Sequence, residues 1–189
     1  MANLFDYVAW RGDISFDTIP FNKIDALLLS HLSYSLLNGL VPSSFEESKT
    51  LSQLSKDFKA ASDYEDRLKI GFVINKNTPE LLAKTAKSLR FKNVRICGYR
   101  EIFSEENVEQ FAAMTYIIKN GKNEEVIISY RGTDDTLVGW KEDFNIVWQD
   151  QIPAQKDALV YIEDAAKFFK NGFVIVGHSK GGNLAINTA

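Results

Sequence analysis

The chain has 189 residues, of which 45% are hydrophobic and 25% are charged, and its formal net charge is −3. This composition is typical of a globular protein and excludes a disordered or fibrous one. The small negative charge argues against nucleic acid as the main partner, because phosphate binding requires a basic surface. The longest apolar candidate, residues 24–32, is too short to cross a membrane, so we expect no integral membrane segment.

Two features bear on the cellular compartment. Residues 1–13 lack the basic-then-apolar order of a signal peptide. Cys97 is the single cysteine, so the chain cannot form an internal disulfide, and we expect its side chain to be a small buried apolar group. Together these features predict a cytoplasmic protein.

The first ninety residues are predicted to be largely helical. Apolar residues at helical spacing predict a first helix from Ile24 to Leu36, with Asn38-Gly39 as its stop. A second helix is predicted from Ser44, which would form a capping box with Glu47. The apolar residues expected on one side of this second helix are Phe45, Leu51, Leu54 and Phe58.

A third helix is predicted with Thr78 as N-cap and Pro79 as its first residue. Its expected apolar positions are Leu81, Leu82, Ala86 and Leu89.

Beyond residue 110 the pattern changes to strands. Residues 112–119 and 125–132 are rich in β-branched and aromatic residues, and the polar segment between them predicts a hairpin. Helical spacing returns in residues 137–147 and 153–170. The apolar run 173–176 then predicts a strand buried on both faces of a sheet. We therefore predict an α/β protein with a helical N-terminal portion, in one domain over residues 1–189.

The sequence after that strand contains the pattern G-x-S-x-G, with Ser179 between Gly177 and Gly181. A sharp strand-to-helix turn of this kind holds a nucleophilic serine at its tip and offers helix N–H groups to an oxyanion. The pattern alone is weak, but the apolar run before it and the helix start after it supply the required context. A phosphate-cradling or purely structural glycine turn is the alternative, although neither the dinucleotide nor the Walker pattern is matched.

A second turn follows the predicted hairpin at residues 131–134, Arg-Gly-Thr-Asp. In an α/β-hydrolase sheet, a loop at an earlier strand end supplies the other oxyanion donor, and Thr133 is placed to do so through its N–H, with its hydroxyl as a second candidate donor. Taken alone, a simple β-turn with Arg131 and Asp134 paired across it explains the same residues.

The segments SYRGTDDTLVGWKEDF and GHSKGGNLA resemble the α/β-hydrolase superfamily, in particular the class 3 (fungal-type) lipases. They resemble more closely an uncharacterised group of bacterial lipase-like proteins related to those lipases. The resemblance covers residues 105–189 strongly and the N-terminal helices more loosely. It implies an α/β-hydrolase-like sheet.

The resemblance also implies roles for individual residues. Ser179 matches the nucleophile, the backbone N–H of Lys180 matches one half of the oxyanion hole, and Thr133 matches the other half. Trp140 and Asp143 match positions that pack or anchor the segment after the Thr133 loop. Many lipases have an uncharged residue in place of Lys180, whose side chain we expect to be solvated or to attract a negatively charged substrate.

A serine nucleophile requires a base, and the chain has two histidines. His178 adjoins the serine, where successive side chains point apart, and His31 is expected to be an ordinary helix-edge histidine. In this fold the acid and the histidine follow the serine, but residues 180–189 contain neither. We therefore expect the chain to be cut in the helix after Ser179, with the C-terminal part of the fold missing.

The expected function of the whole protein is hydrolysis of a small-molecule or lipid acyl ester. These 189 residues alone are expected to be inactive, and exposed apolar surface would favour a homo-oligomer. No metal or cofactor is expected, because the histidines and the cysteine do not cluster in the sequence. The alternatives are a non-catalytic hydrolase-like protein that binds a lipid or a protein, and a thioesterase or acyltransferase.

Overall fold

The computed structural model describes residues 2–69, 77–134 and 136–189. The helices in those ranges are α1 (Leu4–Arg11), α2 (Lys23–Leu32), α3 (Leu51–Ala60), α4 (Tyr64–Arg67), α5 (Thr78–Thr85), α6 (Leu137–Asn145), α7 (Pro153–Phe168) and α8 (Lys180–Thr188). The strands are β1 (Lys49–Thr50), β2 (Arg95–Ser104), β3 (Glu109–Asn120), β4 (Asn123–Tyr130) and β5 (Val174–Gly177). The predicted α/β class is confirmed.

The five strands form one mixed sheet in the order β1-β2-β3-β4-β5. The pairs β1–β2, β2–β3 and β3–β4 are antiparallel, and β3 and β4 form the predicted hairpin with Gly121 at φ +61° in its two-residue turn. Strand β5 is parallel to β4, and Tyr130 pairs with Gly177. This register brings the C-terminal ends of β4 and β5 together, where side chains from two chain segments can form a site.

Helices cover both faces of the sheet. Alternate residues of a strand point to opposite faces. Met114 and Tyr116 of β3 belong to a core cluster with apolar residues of α2, α3 and α5. Phe111 and Ala113 of β3 belong to a second cluster with apolar residues of α7 and α8. The central strand β3 is therefore buried on both faces from Glu109 to Ile118.

The first predicted helix is shorter than its apolar pattern indicates, because α2 ends at Leu32. Ser33 Oγ donates to the Ser30 carbonyl over 2.6 Å, and the backbone N–H groups of Tyr34 and Ser35 bond three residues back. Serine side chains that bond nearby carbonyls compete with continued helix. The chain therefore leaves the helix before Tyr34 and the buried Leu37.

The predicted capping box of Ser44 with Glu47 is wrong. Ser44 Oγ accepts the N–H of Glu46 over 3.0 Å in a local turn, and no helix begins there. Helix α3 begins at Leu51, with Thr50 and Gln53 forming its capping box. Both serine and threonine followed three residues later by Glu or Gln match the same pattern, so the pattern could not choose between the two starts.

Other predicted helices agree more closely with the structure. Helix α5 begins at Thr78, one residue before the predicted first helical position, but Leu89 lies beyond its end and is 52% exposed. Helices α6 and α7 match the two predicted helices, and α7 begins at Pro153 as expected. The largely helical prediction also covered residues 70–76, which lie outside the described residues, as does Asp135.

Two strand predictions need correction. Strand β2 was not predicted, and its pairing with β3 shifts between Cys97 and Arg100, where Gly98 adopts φ +62°. Strand β5 is present but is only partly buried: Val174 is 37% exposed, Ile175 on the opposite face is half-buried, and Val176 is buried. The reason is that β5 lies at the edge of the described sheet.

Cys97 is free and buried, as predicted, and burial raises the pKa of its thiol to about 11. Among the described helices, none has the length and apolar character that crossing a membrane would require.

Candidate active site

Ser179 lies between the end of β5 and the start of α8 with φ 56° and ψ −125°. Such a backbone is rare for a residue with a Cβ and costs roughly 1–3 kcal/mol, so it persists only where the surroundings enforce it. Val108 is the other described non-glycine residue with a positive φ. The Ser179 side chain is exposed, so its hydroxyl is accessible at the tip of the turn.

The glycines on each side of Ser179 allow the backbone to pass closely. A Cβ on Gly177 would overlap the backbone of Gly181, and a Cβ on Gly181 would overlap the carbonyl of Tyr130. Gly182, one residue on, has room for a Cβ, whose nearest neighbour would be 3.4 Å away. Gly177 is therefore required by the close passage of the end of β5 past the start of α8, and Gly181 by the contact of α8 with strand β4.

The loop after β4 contacts the serine turn. A Cβ on Gly132 would overlap the His178 carbonyl and would lie 3.2 Å from Ser179 Cβ. The next residue, Thr133, donates its hydroxyl proton to Asp143 Oδ2 over 2.6 Å. The structure thus brings the Thr133 loop beside the Ser179 turn and ties its threonine to α6. Trp140, which was expected to pack, is 46% exposed.

The side chain of Lys180 is neither solvated nor directed to substrate, so that expectation is wrong. Its Nζ donates to Glu142 Oε2 over 2.5 Å and to the Gln110 carbonyl over 2.6 Å. The side chains of Lys180 and Glu142 are 1% and 0% exposed. The local sequence could not reveal this, because Glu142 lies 38 positions earlier in the chain.

Glu142 also accepts two backbone hydrogen bonds. Its Oε2 accepts the N–H of Gln110 over 3.0 Å, and its Oε1 accepts the N–H of Ala154 over 3.1 Å. One buried carboxylate therefore joins the start of β3, the start of α7 and the first residue of α8. The Gln110 side chain adds a link to the Thr133 loop, since its Oε1 accepts the N–H of Asp134 over 3.1 Å.

The simple-turn interpretation of residues 131–134 predicted that Arg131 pairs with Asp134. The structure instead pairs Arg131 with Glu101 of β2, with an Nη2–Oε1 distance of 2.6 Å. Glu101 also accepts the Tyr99 hydroxyl over 2.9 Å. Arg131 is buried, and its partner lies 30 positions away, so this ion pair connects the loop to the sheet rather than closing a local turn.

His178 faces Tyr34, which the sequence analysis did not single out. The Tyr34 hydroxyl lies 2.9 Å from His178 Nδ1, and the rings meet edge to face at 5.7 Å. Burial raises the pKa of Tyr34 to about 12, so the phenol keeps its proton at neutral pH and can donate it to the imidazole. No local pattern identifies Tyr34, which follows the end of α2 and is 144 positions from His178.

The second histidine, His31, is half-buried at the end of α2, in agreement with the helix-edge prediction. Its Nε2 lies 3.1 Å from Thr78 Oγ1, and burial lowers its pKa, which favours the neutral ring. Within residues 2–69, 77–134 and 136–189, no hydrogen bond joins either histidine to Ser179. The structure therefore pairs both rings with other side chains.

Glu109 lies at the start of β3, next to Gln110 in the chain. A hydrogen bond with Asp157 and burial raise the pKa of Glu109 to about 7.

The described residues contain no group of three or more His, Cys, Asp or Glu side chains that could hold a metal ion.

Comparison with known proteins gave one family. A family model described as Mbeg1-like matches residues 85–189, which is more than half of the 189 residues. The matched segment contains the Thr133 loop, the Glu142–Lys180 ion pair and the Ser179 turn. No curated protein and no solved structure matches the chain. The chain therefore belongs to the Mbeg1-like family.

Proposed function

We propose that this protein is a serine hydrolase that cleaves acyl esters, with Ser179 as its nucleophile. The observation that carries the proposal is the backbone of Ser179, which has φ 56° at an exposed turn between a strand and a helix. A strained serine held by close backbone contacts is the geometry that a nucleophile elbow requires. A purely structural turn at this position has no need of a Cβ at positive φ, since glycine would adopt that conformation at lower cost.

In the proposed reaction, Ser179 Oγ attacks the ester carbonyl carbon and the carbonyl oxygen becomes an oxyanion. The backbone N–H groups of Lys180 and Thr133 stabilise that oxyanion, each contributing about 3 kcal/mol to transition-state stabilisation. The position of Lys180 at the start of α8 supports this role, because the first N–H groups of a helix lack partners within the helix. The contact of Gly132 with the turn supports the role of Thr133.

The hydroxyl of a serine is a weak nucleophile without a base. His178 is paired with Tyr34 and His31 with Thr78, which argues against both as the base. We propose that a histidine outside these 189 residues accepts the Ser179 proton and then passes it to the leaving alcohol. Water hydrolyses the acyl-enzyme in the second half of the reaction, so neither half requires a cofactor.

The proposed architecture is that of an α/β-hydrolase, and the proposed substrate is a small-molecule or lipid acyl ester. The parallel pair β4–β5, with the serine turn directly after β5, supports that architecture. The sequence resemblance to class 3 lipases supports the same architecture and the proposed substrate class, although fold alone does not determine the reaction.

The test is the intact mass of the complete gene product that contains this chain, before and after treatment with a fluorophosphonate. We expect one adduct on the native protein and none on Ser179→Ala, which keeps the Cβ and removes the nucleophile. The 189-residue chain alone is expected to show no ester turnover. A folded complete protein that forms no adduct would contradict the proposal and would favour a non-catalytic protein that binds a lipid or a protein.

A further inference from the structure

The ion pair between Lys180 and Glu142 is almost completely buried. Both side chains are at most 1% exposed, and the Nζ–Oε2 distance is 2.5 Å. Removing two charges from water is costly, so a buried pair often contributes no more stability than apolar residues of the same size. Stability alone therefore does not explain the presence of this pair, and its geometry has to be considered.

Backbone groups around the pair stabilise the charged form of both side chains. The Gln110 carbonyl faces the ammonium group, with a distance of 2.6 Å to Nζ. The N–H groups of Gln110 and Ala154 face the carboxylate, at 3.0 and 3.1 Å. With one acceptor at the cation and two donors at the anion, the site holds Lys180 and Glu142 in one orientation and fixes the end of the lysine side chain.

Lys180 is both the first residue of α8 and the neighbour of Ser179. Its side chain is held at the far end by Glu142 of α6, while its backbone N–H borders the serine. The next residue of α6, Asp143, holds Thr133 Oγ1 over 2.6 Å. Two successive residues of one helix thus bond the two residues whose N–H groups are the proposed oxyanion donors.

We propose that Glu142 is a positioning residue that sets the place of the Lys180 N–H through the Lys180 side chain. Helix α6 acts as a common anchor, because Glu142 and Asp143 together determine the separation of the two donors. The proposal rests on the proposed serine hydrolase function. Oxyanion stabilisation depends strongly on donor distance, so a small shift of the Lys180 N–H would slow attack by Ser179 without unfolding the protein.

The test uses the complete gene product and the variants Glu142→Gln, Lys180→Met and their combination. Glutamine at position 142 can accept the N–H of Ala154 and can donate toward the Gln110 carbonyl that Lys180 vacates, so the combined variant has no buried charge left unpaired. Lys141→Met, which removes an exposed lysine from the same helix, is the matched control. The measured quantities are the rate of fluorophosphonate labelling at Ser179 and the melting temperature of each variant.

We expect each single variant to label roughly a hundred-fold more slowly, as for a misplacement of about 1 Å. The combined variant should label no more slowly than the single variants, because each substitution removes the same contact, the ion pair between Lys180 and Glu142. The Lys141→Met control should label at the native rate. Labelling at the native rate by the folded combined variant would overturn the proposal, because the pair would then be structural only.

A second measurement does not depend on activity. Hydrogen exchange of the Gly181 and Gly182 amides, which bond the His178 and Ser179 carbonyls at the start of α8, should be faster in Glu142→Gln than in the native protein, while exchange in the centre of β3 stays unchanged. If the native protein shows no labelling, the proposed function fails, and this measurement decides the positioning role. Unchanged exchange of the Gly181 and Gly182 amides would overturn that role even in a protein that labels at Ser179.

Discussion

The hydroxyl of Tyr34 lies 2.9 Å from Nδ1 of His178, the residue that precedes Ser179. Tyr34 follows α2 in the N-terminal portion, whereas His178 follows the edge strand β5. A Cβ on Gly132 would also overlap the Tyr34 hydroxyl, so this one oxygen touches both the serine turn and the Thr133 loop. The helical N-terminal portion therefore supports the candidate site directly.

Replacing Tyr34 with phenylalanine should reduce the free energy of unfolding by about 1 kcal/mol, because His178 loses its buried partner while the ring packing is kept. Urea unfolding measures the change. Tyr64→Phe is the matched control, since the Tyr64 ring packs against Phe58 and no hydrogen bond of its hydroxyl is found in the described ranges. Equal effects of the two substitutions would show that the Tyr34–His178 contact contributes no stability.

The positive φ of Ser179 predicts an unusual effect of glycine. Glycine adopts φ 56° without the steric cost that serine bears, so Ser179→Gly should be more stable than Ser179→Ala by about 1 kcal/mol. Both variants lack the hydroxyl, so the difference between their free energies of unfolding reports the backbone conformation at position 179. Urea unfolding of the two variants side by side is the measurement. An alanine variant at least as stable as the glycine variant would mean that the turn is not strained.

Adjacent glycines in α8 should respond in opposite ways to alanine. A Cβ at Gly181 overlaps the Tyr130 carbonyl, so Gly181→Ala should cost at least about 3 kcal/mol or prevent folding. Gly182→Ala, with its nearest contact at 3.4 Å, should be neutral or stabilising by up to about 1 kcal/mol, because alanine favours helix. Melting temperatures of the two variants test the difference. Similar losses at both positions would contradict the close contact between α8 and β4.

Glu109 predicts a pH dependence of stability. A hydrogen bond with Asp157, burial and the nearby carboxylates raise the pKa of Glu109 from 4.5 to about 7. Between these values the folded protein binds the proton more tightly than the unfolded chain, so the contribution to stability is present below pH 4.5 and is lost as the pH rises through 7.

Glu109→Gln should therefore flatten the fall in melting temperature between pH 5 and pH 8, roughly the interval that spans the shifted pKa. Glu106→Gln, at an exposed position three residues earlier, should leave the native pH profile unchanged. An identical slope in the native protein and in Glu109→Gln would show that another group causes the pH dependence.

Local patterns predicted the elements whose signals lie close together in the chain. The hairpin of β3 and β4, the start of α7 at Pro153 and the turn at Ser179 all depend on neighbouring residues. Strand β2 was missed because Gly98 interrupts it and its pairing is irregular there. The predicted helix start at Ser44 was wrong because Thr50 and Gln53 match the same capping pattern six residues later, and the helix begins there.

The sequence by itself determined the α/β class, the glycine-flanked serine and the threonine loop, because backbone preferences and turn chemistry act over a few residues. Only the tertiary structure decided the partners of the charged and polar side chains. Lys180 meets Glu142, Arg131 meets Glu101 and His178 meets Tyr34 across 38, 30 and 144 positions. Any of these residues could have been solvated in another fold, because a buried charge chooses its partner by proximity in space, which depends on how the whole sheet and its helices pack.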